Sequence, residues 1–441
     1  MRTQQLLSIA IFILILLGFV GLKPTQTQAE SQQPEETPLN VILLIGDGMG
    51  EGQIELTRLV EKGEGGVLSM ETIEQTVMVD TSSLYQDYTD SAAAATALAT
   101  GHKAPVGYLS YGPDGEIYNT ILEIAKYNNK STGVVSTTAF THATPAGFVV
   151  HVENRGRPTP IVEQFFESGI DVVLAGGSSY MSDTRIDIVE GKDYSYVTTV
   201  DEMNAVTDGK IFGTFGLDNV PYIQDRTSAH PTLPQMTTKA LDLLGQGEEG
   251  FFLMVEGGLI DYACHDNRKD LSVLENIEFD ETVQVVLDFI EENPNTLLIV
   301  TADHETGGLS VVDHDLGAEL PAAGNTAQEN ISLRLERVND ITTNWTTVSH
   351  STADVRAFVK GMELSSFTNQ SVINNTEIFD LMVYYMDPVM PEGPLYTTPE
   401  TTTSLGTTTK ESTSESASAS NLMIILSIPT IYCARVFRRR I

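Results

Sequence analysis

The sequence predicts an α/β fold in which a mostly parallel central β-sheet is sandwiched between helices. Apolar runs rich in β-branched residues recur along the chain, as expected for strands buried on both faces. Segments with helical character lie between these runs and complete a β-α-β alternation. The predicted strands are residues 41–45, 133–136, 172–175, 251–255 and 297–300, and the clearest predicted helices are residues 121–128 and 274–291.

The amino-terminal region, residues 1–29, is a predicted signal peptide or anchor. Met1 and Arg2 precede an apolar run that extends from Leu6 to about Leu22. The run is long for a secretory signal and slightly short for a spanning helix. Ala29 ends a small-x-small pattern suited to cleavage, so a cleaved signal is favoured over a retained anchor. Residues 38–390 contain the predicted strands and helices and form the predicted folded domain.

The carboxyl-terminal region has two predicted parts. Residues 391–420 are rich in Ser and Thr and cannot bury a core, which is typical of a disordered stalk. Residues 421–441 combine an apolar run, interrupted by Pro429, with four arginines near the end. Basic residues after an apolar run indicate a stop-transfer anchor, although a processed sorting signal and an incidental tail stay open. The arginines argue against a glycosyl-phosphatidylinositol signal. Together the two ends predict an exported protein, extracellular or at the cell surface, with membrane or cell-envelope anchoring as one option.

The net charge of −35 limits the partners of this chain. An excess of acidic residues repels nucleic acid and anionic membrane surfaces, so nucleic acid is not an expected binding partner. A site that handles phosphate would need local positive charge from metal ions, arginine or helix N-termini. Five Asn-x-Ser/Thr sequons are compatible with an exported, glycosylated surface. They begin at Asn129, Asn330, Asn344, Asn369 and Asn374.

The two cysteines lie in unlike contexts. Cys264 and Cys433 are far apart in the sequence, and we expect no structural disulfide between them. Cys264 stands next to His265, where it could be a soft metal ligand. A free cysteine is more often a small buried apolar residue, and this is the favoured interpretation.

Ser91 stands directly after Asp90 and at the head of an alanine-rich run. Alanine favours helix, and Ser and Asp are good N-cap residues, so the pattern predicts a helix that begins here. The free amide groups and the dipole of a helix N-terminus attract anions. A serine hydroxyl at this place could therefore meet a phosphate, although an ordinary capped helix explains the same pattern.

Residues with catalytic or ligand chemistry follow four of the predicted strands. In chain order they are Asp47, then Thr141, His142 and Thr144, then Glu256, and finally Asp303 and His304. Open α/β sheets form their ligand crevice at the carboxyl ends of the strands. The sequence therefore predicts that one crevice collects all of these side chains.

Further pairs of residues have the spacing of metal ligands. Asp261 and His265 are four residues apart and would share one face of a helix. Asp303 and His304 are adjacent, so both can reach one ion only if the chain bends after the strand. His350 supplies another imidazole. Such donors suit zinc, a threonine hydroxyl with carboxylates suits magnesium, and cobalt or manganese could also be accepted.

The motifs of residues 47–357 resemble those of the alkaline phosphatase family. They are Gly46-Asp47-Gly48-Met49-Gly50, Thr89-Asp90-Ser91-Ala92, His142-Ala143-Thr144-Pro145, and segments 151–155, 256–265, 301–308 and 349–350. Each motif is weak alone, but their order and spacing together are specific. The resemblance implies a catalytic domain of this family at residues 38–390 that acts on small phosphate monoesters. Members are commonly dimers, which leaves a homodimer open here.

The resemblance also implies a role for each site residue. Ser91 would be the nucleophile, and Arg155 would hold two phosphate oxygens with its planar fork. Two zinc ions and one magnesium ion are implied as cofactors. Their ligands would be Asp261, His265 and His350 for one zinc, Asp47, Asp303 and His304 for the other, and Asp47, Thr144 and Glu256 for magnesium. Asp90, His142 and Tyr262 would border these ligands and the phosphate.

The implied reaction is hydrolysis of a phosphate monoester through a phosphoserine. Zinc would lower the pKa of the Ser91 hydroxyl, and the resulting oxygen would attack phosphorus in line before water cleaves the intermediate. His142 replaces an aspartate of some bacterial relatives, and Tyr262 replaces a lysine or histidine of others. His142 puts the occupancy of the magnesium site in question, and Tyr262 removes a possible cation near the phosphate. Together the two differences predict an altered pH optimum or turnover, and not a loss of activity.

Other functions stay open on the sequence alone. A phosphodiesterase or sulfatase of the same superfamily would use similar ligands, but the sulfatase motif Cys/Ser-x-Pro-x-Arg is not found around Ser91. A non-catalytic surface protein that binds metal or phosphate would account for the stalk, the sequons and the acidic surface. The presence of the nucleophile together with all the implied ligands favours the enzyme.

Overall fold

Ten strands form one central sheet in this computed structural model, which describes residues 39–317 and 319–396. The strands are β1 (Asn40–Gly46), β2 (Gln75–Asp80), β3 (Ser131–Ala139), β4 (Val172–Gly176), β5 (Tyr194–Val197), β6 (Lys210–Thr214), β7 (Phe251–Gly257), β8 (Thr296–Thr301), β11 (Val355–Lys360) and β12 (Val372–Asn374). Their order across the sheet is β12-β2-β11-β8-β1-β7-β3-β4-β6-β5. All five runs predicted as strands lie within it.

The sheet is mostly parallel, as the sequence predicted. Strand β11 runs antiparallel to its neighbours β2 and β8, and the other described strand pairs of the sheet are parallel. Every residue of β1, β7 and β8 is buried. Burial on both faces explains why these strands are continuous apolar runs without polar alternation.

Helices cover both faces of the sheet. The helices are α1 (Glu51–Glu61), α2 (Ser91–Thr100), α3 (Ile121–Tyr127), α4 (Ala143–Gly147), α5 (Pro158–Ser168), α6 (Asp183–Glu190), α7 (Val200–Ala205), α8 (Leu233–Leu244), α9 (Leu259–His265), α10 (Lys269–Glu292), α11 (Ala327–Asn339) and α12 (Thr376–Met386). Helices α8 and α10 contact each other and β7, while α3 contacts β7 and packs with α2 and α12. Strand β7 thus contacts two helix groups, α8 with α10 on one face of the sheet and α3 with α2 and α12 on the other. This arrangement confirms the predicted sandwich.

Capping residues determine where two helices of the site region begin. Asp90 is the N-cap of α2, and its side chain accepts a hydrogen bond of 3.0 Å from the Ala93 amide. Gly101 ends the same helix with a φ of +72°, a conformation that glycine adopts without strain. Thr120 and Glu123 form a capping box at the start of α3. The helix predicted after Asp90 is therefore present and begins at Ser91.

The polar stretch after β8 leaves the main sheet. Strands β9 (Ser310–His314) and β10 (Ile341–Asn344) form a small antiparallel sheet, with α11 between them in sequence. Leu56, Val338 and Ile341 belong to a second apolar cluster that packs this excursion against α1. Arg334 adds an ion pair of 2.7 Å with Glu61. The chain then passes through His350 and returns to the sheet at β11.

Most of the predicted terminal regions lie outside the described residues, namely the signal at 1–29, the stalk beyond residue 396 and the anchor or sorting segment at 421–441. The first residues of the predicted stalk, 391–396, lie against the folded domain. The Leu395 amide donates to Asn119 Oδ1 at 2.7 Å, and the ring of Tyr396 stacks on that of His151 with centroids 5.0 Å apart. Residues 39–317 and 319–396 include no helix long and apolar enough to cross a bilayer.

Candidate metal centre and nucleophile

The carboxyl ends of three neighbouring strands bring the predicted ligands to one place. Strand β1 lies between β7 and β8, with Ile45 level with Glu256 on one side and with Thr301 on the other. Asp47 follows β1 directly, and Asp303 and His304 follow β8. The next strand, β3, leads into Thr144 on α4. Strand order therefore gathers side chains that are more than 200 residues apart in the sequence.

Asp261, His265 and His350 form the first ligand group. His265 Nε2 lies 3.3 Å from Asp261 Oδ2, and His350 Nε2 lies 3.7 Å from Asp261 Oδ1. The two histidine Nε2 atoms are 3.2 Å apart. Each ring donates its Nδ1 hydrogen to a backbone carbonyl at 2.7 Å, His265 to Val348 and His350 to Thr89. Both Nε2 atoms are thereby directed at the Asp261 carboxylate.

Asp47, Asp303 and His304 form the second ligand group, and all three are buried. His304 Nε2 lies 3.5 Å from Asp47 Oδ1 and 3.3 Å from Asp303 Oδ2. His304 also groups with Asp261 and His350 and stacks on the His350 ring with centroids 3.6 Å apart. This histidine therefore joins the two groups, a connection that the sequence did not indicate.

Asp47, Thr144 and Glu256 form the third group. Thr144 Oγ1 lies 3.5 Å from Asp47 Oδ2, and Glu256 is fully buried. His142 Nδ1 lies 3.6 Å from Glu256 Oε1, so that Asp47, His142 and Glu256 could also hold an ion together. The sequence analysis assigned His142 to the border of this site, whereas the structure brings its imidazole close enough to Asp47 and Glu256 for the three side chains to share one ion.

Two residues that the sequence reasoning missed orient Glu256. The hydroxyl groups of Ser136 and Thr138, near the end of β3, donate to the same oxygen, Glu256 Oε2. The other oxygen, Oε1, has no hydrogen-bond partner among the described residues. The sequence held a signal for these residues, because the run 133–136 ends in a serine and two threonines follow it, just before the motif at His142.

Burial and charge in the centre fit divalent cations. Asp47 Oδ1, Glu256 Oε1 and Asp303 Oδ2 are buried without a hydrogen-bond partner among the described residues. Burial and the neighbouring Asp303 charge raise the pKa of Asp47 well above its usual range, and burial and Asp261 do the same for Asp303. Ionised carboxylates in this arrangement repel one another unless a cation lies between them. The paired Nε2 atoms of the first group likewise need a proton or a cation between them.

The histidines of the centre respond in opposite directions to their surroundings. The hydrogen bond with Asp261 raises the pKa of His265 to about 9. Burial and the neighbouring His350 lower the pKa of His304 well below its usual value. Burial would raise the pKa of Glu256, but contact with His142 and the hydroxyl of Ser136 lowers it overall. A neutral His304 has the protonation state that metal ligation requires.

The candidate nucleophile, Ser91, lies beside these ligand groups. It is the first residue of α2 and is buried, and its Oγ is 3.5 Å from His304 Nε2. Arg155 Nη1 donates to Asp90 Oδ2 at 2.9 Å, and Arg155 Nη2 lies 3.2 Å from His142 Nε2. The guanidinium group is thus held next to the helix N-terminus at Ser91.

Tyr262 and Cys264 lie on the helix of the first group but differ in exposure. Tyr262 is 40% exposed, and its ring centroid is 5.9 Å from that of His142, which places it at the border of the third group. Cys264 is buried and contacts Ser272 Oγ at 3.3 Å. Burial raises the pKa of its thiol to about 12. Cys264 is a packing residue, and Cys433 lies outside the described residues.

Comparisons with known proteins point to one family. A family model described as alkaline phosphatase matches residues 39–335. Alkaline phosphatase 4 of Bacillus subtilis (strain 168) is 36% identical over 327 residues, which cover 70% of this chain and 71% of the relative. The alkaline phosphatase of Escherichia coli (strain K12) is 32% identical over 372 residues, covering 70% of this chain and 79% of the relative.

Solved structures agree with the sequence relatives. The cold-active alkaline phosphatase of a psychrophilic Shewanella sp. gives a TM-score of 0.71 at 31% identity and covers 79% of this chain and all (100%) of that one. A variant of the alkaline phosphatase from TAB5, an Antarctic bacterium, described with Mg bound, gives a TM-score of 0.68 at 29% identity. That match covers 80% of this chain and 99% of the TAB5 chain.

Proposed function

The chain belongs to the alkaline phosphatase family, and on that premise we propose that its reaction depends on metal ions and passes through a phosphoserine on Ser91. Membership makes the chain a phosphomonoester hydrolase. The observation that carries the mechanistic proposal is the position of Ser91 Oγ, 3.5 Å from the His304 imidazole that joins two ligand groups. A nucleophile beside buried carboxylates needs cations to receive an anionic substrate.

We assign two zinc ions and one magnesium ion to the three groups. The proposed ligands are Asp261, His265 and His350 for one zinc, Asp47, Asp303 and His304 for the other, and Asp47, Thr144 and Glu256 for magnesium. Imidazole with carboxylate suits zinc, and a hydroxyl with carboxylates suits magnesium. When bound, such ions would lower the pKa of the serine hydroxyl and offset the charge of the phosphoryl group.

The side chains of the chain itself supply positioning. The N-terminus of α2 carries Ser91, and the backbone amides at the start of the helix would attract the phosphate. Arg155 would bind two phosphate oxygens with its fork, while Asp90 keeps the guanidinium in place. After its hydroxyl proton has passed to solvent, Ser91 Oγ would form a bond to phosphorus as the ester oxygen leaves with its electron pair and takes up a proton from water. Water would subsequently cleave the phosphoserine to release inorganic phosphate.

Hydrolysis of a chromogenic phosphate monoester tests the metal dependence. The full chain would be assayed from about pH 7 to about pH 10, with zinc and magnesium and again after chelation, beside a diester and a sulfate ester. We expect metal-dependent cleavage that prefers the monoester. Equal activity before and after complete chelation would contradict the metal-dependent mechanism, and preference for the diester or sulfate would favour the other superfamily activities.

The Ser91→Ala variant tests the phosphoserine. Turnover should fall by at least about a thousandfold, because the variant has no covalent nucleophile. Inorganic phosphate should still bind, since Arg155 and the helix N-terminus are unchanged. Trapping of phosphate on wild-type protein at acid pH, followed by peptide mapping, should place it on Ser91. A Ser91→Ala variant with wild-type turnover would contradict the proposal.

We also propose the setting in which the enzyme works. Its partners would be small phosphate monoesters and not nucleic acid, because the net charge of −35 repels polyanions. Export through the predicted signal at 1–29 would place it outside the cell or at the surface, with the segment at 421–441 as an anchor or sorting signal. A homodimer is the oligomeric state to test first by light scattering.

A further inference from the structure

Thr306 makes contacts that no role assigned above explains. It is fully buried at 0% exposure, five residues beyond the end of β8. Its Oγ1 lies 2.5 Å from Asp261 Oδ1 and 3.2 Å from His304 Nδ1. Asp261 belongs to the first ligand group and His304 to the second. One hydroxyl group therefore lies between ligands of two different metal groups.

The donor and acceptor chemistry allows one arrangement of hydrogen atoms. An ionised carboxylate only accepts, so the single hydroxyl hydrogen of Thr306 points to Asp261. The remaining lone pairs of Oγ1 can then only accept, and His304 must donate its Nδ1 hydrogen to them. His304 consequently has a free lone pair on Nε2, the atom that faces Asp47, Asp303 and Ser91.

The other two histidines of the centre also donate their Nδ1 hydrogens and direct Nε2 at the ligand groups. His265 and His350 donate their Nδ1 hydrogens to the backbone carbonyls of Val348 and Thr89. Among the described residues, His304 Nδ1 has the Thr306 hydroxyl as its hydrogen-bond partner in place of a backbone carbonyl. A fixed Nδ1 hydrogen is the usual means by which a protein orients a ligating imidazole.

The backbone around Thr306 leaves its hydroxyl little freedom. The Thr306 amide donates to Gly48 O at 3.1 Å, and Gln53 Nε2 donates to Thr306 O at 2.7 Å. Thr306 also forms an isolated antiparallel bridge with His350. Gly48 has a φ of +75°, and a Cβ atom there would come within 3.0 Å of both Asp261 Oδ1 and Thr306 Oγ1. Glycine is therefore required where the chain passes over this pair.

We propose that Thr306 is a positioning residue that couples the two imidazole-containing metal groups through the chain His304 Nδ1–H to Thr306 Oγ1–H to Asp261 Oδ1. The hydroxyl holds His304 in the tautomer that exposes Nε2 and at the same time orients Asp261. Removal of this one hydroxyl should then weaken ligands of both groups. This role rests on the proposed metal-dependent function of the same centre.

Zinc affinity of four proteins tests the coupling. Metal-free full-length wild type, Thr306→Val, Thr306→Ser and Thr301→Val would be titrated with zinc against a chromophoric chelator. Thr306→Val keeps the shape without the hydroxyl and should bind zinc about 10- to 100-fold more weakly, whereas Thr306→Ser should stay within about threefold of wild type. Thr301 is the matched control, since it is equally buried and its hydroxyl donates to the carbonyls of Ala302 and Arg356 and to no metal-group residue among those the structure describes.

Nitrogen-15 spectra of the histidine rings test the tautomer without turnover or metal. In metal-free wild type, the His304 signals, assigned by their loss in His304→Asn, should show hydrogen on Nδ1 and none on Nε2. Thr306→Val should lose this signature and Thr306→Ser should keep it. Hydrogen on Nε2 in the wild type, or wild-type zinc affinity in Thr306→Val, would overturn the proposal.

These readouts separate the two proposals and do not depend on one variant. If Thr306→Val does not fold, the wild-type spectrum and the Thr306→Ser affinity decide the outcome. A wild-type chain that shows the Nδ1 tautomer and binds zinc, yet hydrolyses monoesters equally well after chelation, would contradict the metal-dependent mechanism alone. A wild-type chain with metal-dependent turnover and the other tautomer would contradict the role of Thr306 alone.

Discussion

Arg155 donates to the Asp90 carboxylate at 2.9 Å, and the same carboxylate caps the helix that begins with Ser91. Asp90 Oδ1 accepts from the Ala93 and Gly107 amides, while Asp90 Oδ2 accepts from Arg155. One side chain therefore sets both the start of the helix that carries the proposed nucleophile and the orientation of the guanidinium group proposed to bind phosphate. The two tasks use different oxygen atoms, so substitution can separate them.

Asp90→Asn should keep the cap and weaken the hold on Arg155. The amide oxygen can still accept from Ala93, whereas its NH2 group cannot accept from a guanidinium. Inhibition by inorganic phosphate should weaken about tenfold, with little change in melting temperature. Asp90→Ala should weaken phosphate binding and also cost about 1 kcal/mol of stability through the lost cap. If both variants melt alike, Asp90 does not stabilise α2 as argued.

Arg155→Lys should show that the planar fork matters beyond charge. Lysine supplies a point charge and cannot bind two phosphate oxygens in parallel while also contacting Asp90. We expect kcat/KM for a monoester to fall about 10- to 100-fold, which corresponds to one charge-assisted hydrogen bond. Arg157 lies two residues away with an exposed side chain, so Arg157→Lys is the matched control and should behave as wild type. Equal kcat/KM in both variants would contradict the assignment.

Thr138→Val should weaken the binding of magnesium by the third group without affecting the binding of zinc. The hydroxyl of Thr138 donates at 2.9 Å to Glu256 Oε2, which leaves Oε1 for the proposed ion. Without it, the magnesium concentration needed for half-maximal activation should rise about tenfold, while zinc content stays unchanged. Thr132 lies at the opposite end of β3 and is equally buried, so Thr132→Val provides the control. Parallel losses of zinc and magnesium would indicate general disruption of the centre.

Glu275 should make stability fall as pH rises. Burial, together with the charge of Glu278, raises the pKa of Glu275 to about 8. The folded chain then holds this proton more tightly than the unfolded chain, so its contribution to stability is present at low pH. The contribution is lost as pH rises from the ordinary value of 4.5 towards about 8.

Denaturant unfolding at about pH 5 and about pH 8 measures this effect. Glu275→Gln keeps the oxygen that accepts from the Ile223 amide at 2.8 Å, and Arg226 keeps its pair with Glu278. The free energy of unfolding should therefore depend less on pH in this variant than in the wild type. Glu292→Gln, at the exposed end of the same helix, should leave the wild-type slope intact. Identical slopes in all three proteins would refute the assignment.

Local patterns in the sequence were sufficient to predict the strands, the capped helix and the residue types of the centre. Continuous apolar runs of four to five residues favour strands buried on both faces, because buried helices are usually longer. The Asp90-Ser91 pair before an alanine run identifies a helix start for the same local reason. The position of Asp47, Glu256 and Asp303 near strand ends then placed them at one edge of the sheet.

Only the tertiary structure decided how those residues are connected. Whether His304 contacts one ligand group or two depends on the order β8-β1-β7, which is a long-range property that periodicity does not record. The contact of His142 with Glu256 also depends on the fold, as do the hydrogen bonds that Ser136 and Thr138 donate to that carboxylate. The position of Thr306 between Asp261 and His304 is a further example. Hydrogen bonds of 2.5 to 3.5 Å between residues more than 40 positions apart depend on packing of whole elements. The sequence therefore indicated the candidate side chains of the centre, and the fold decided which of them lie together.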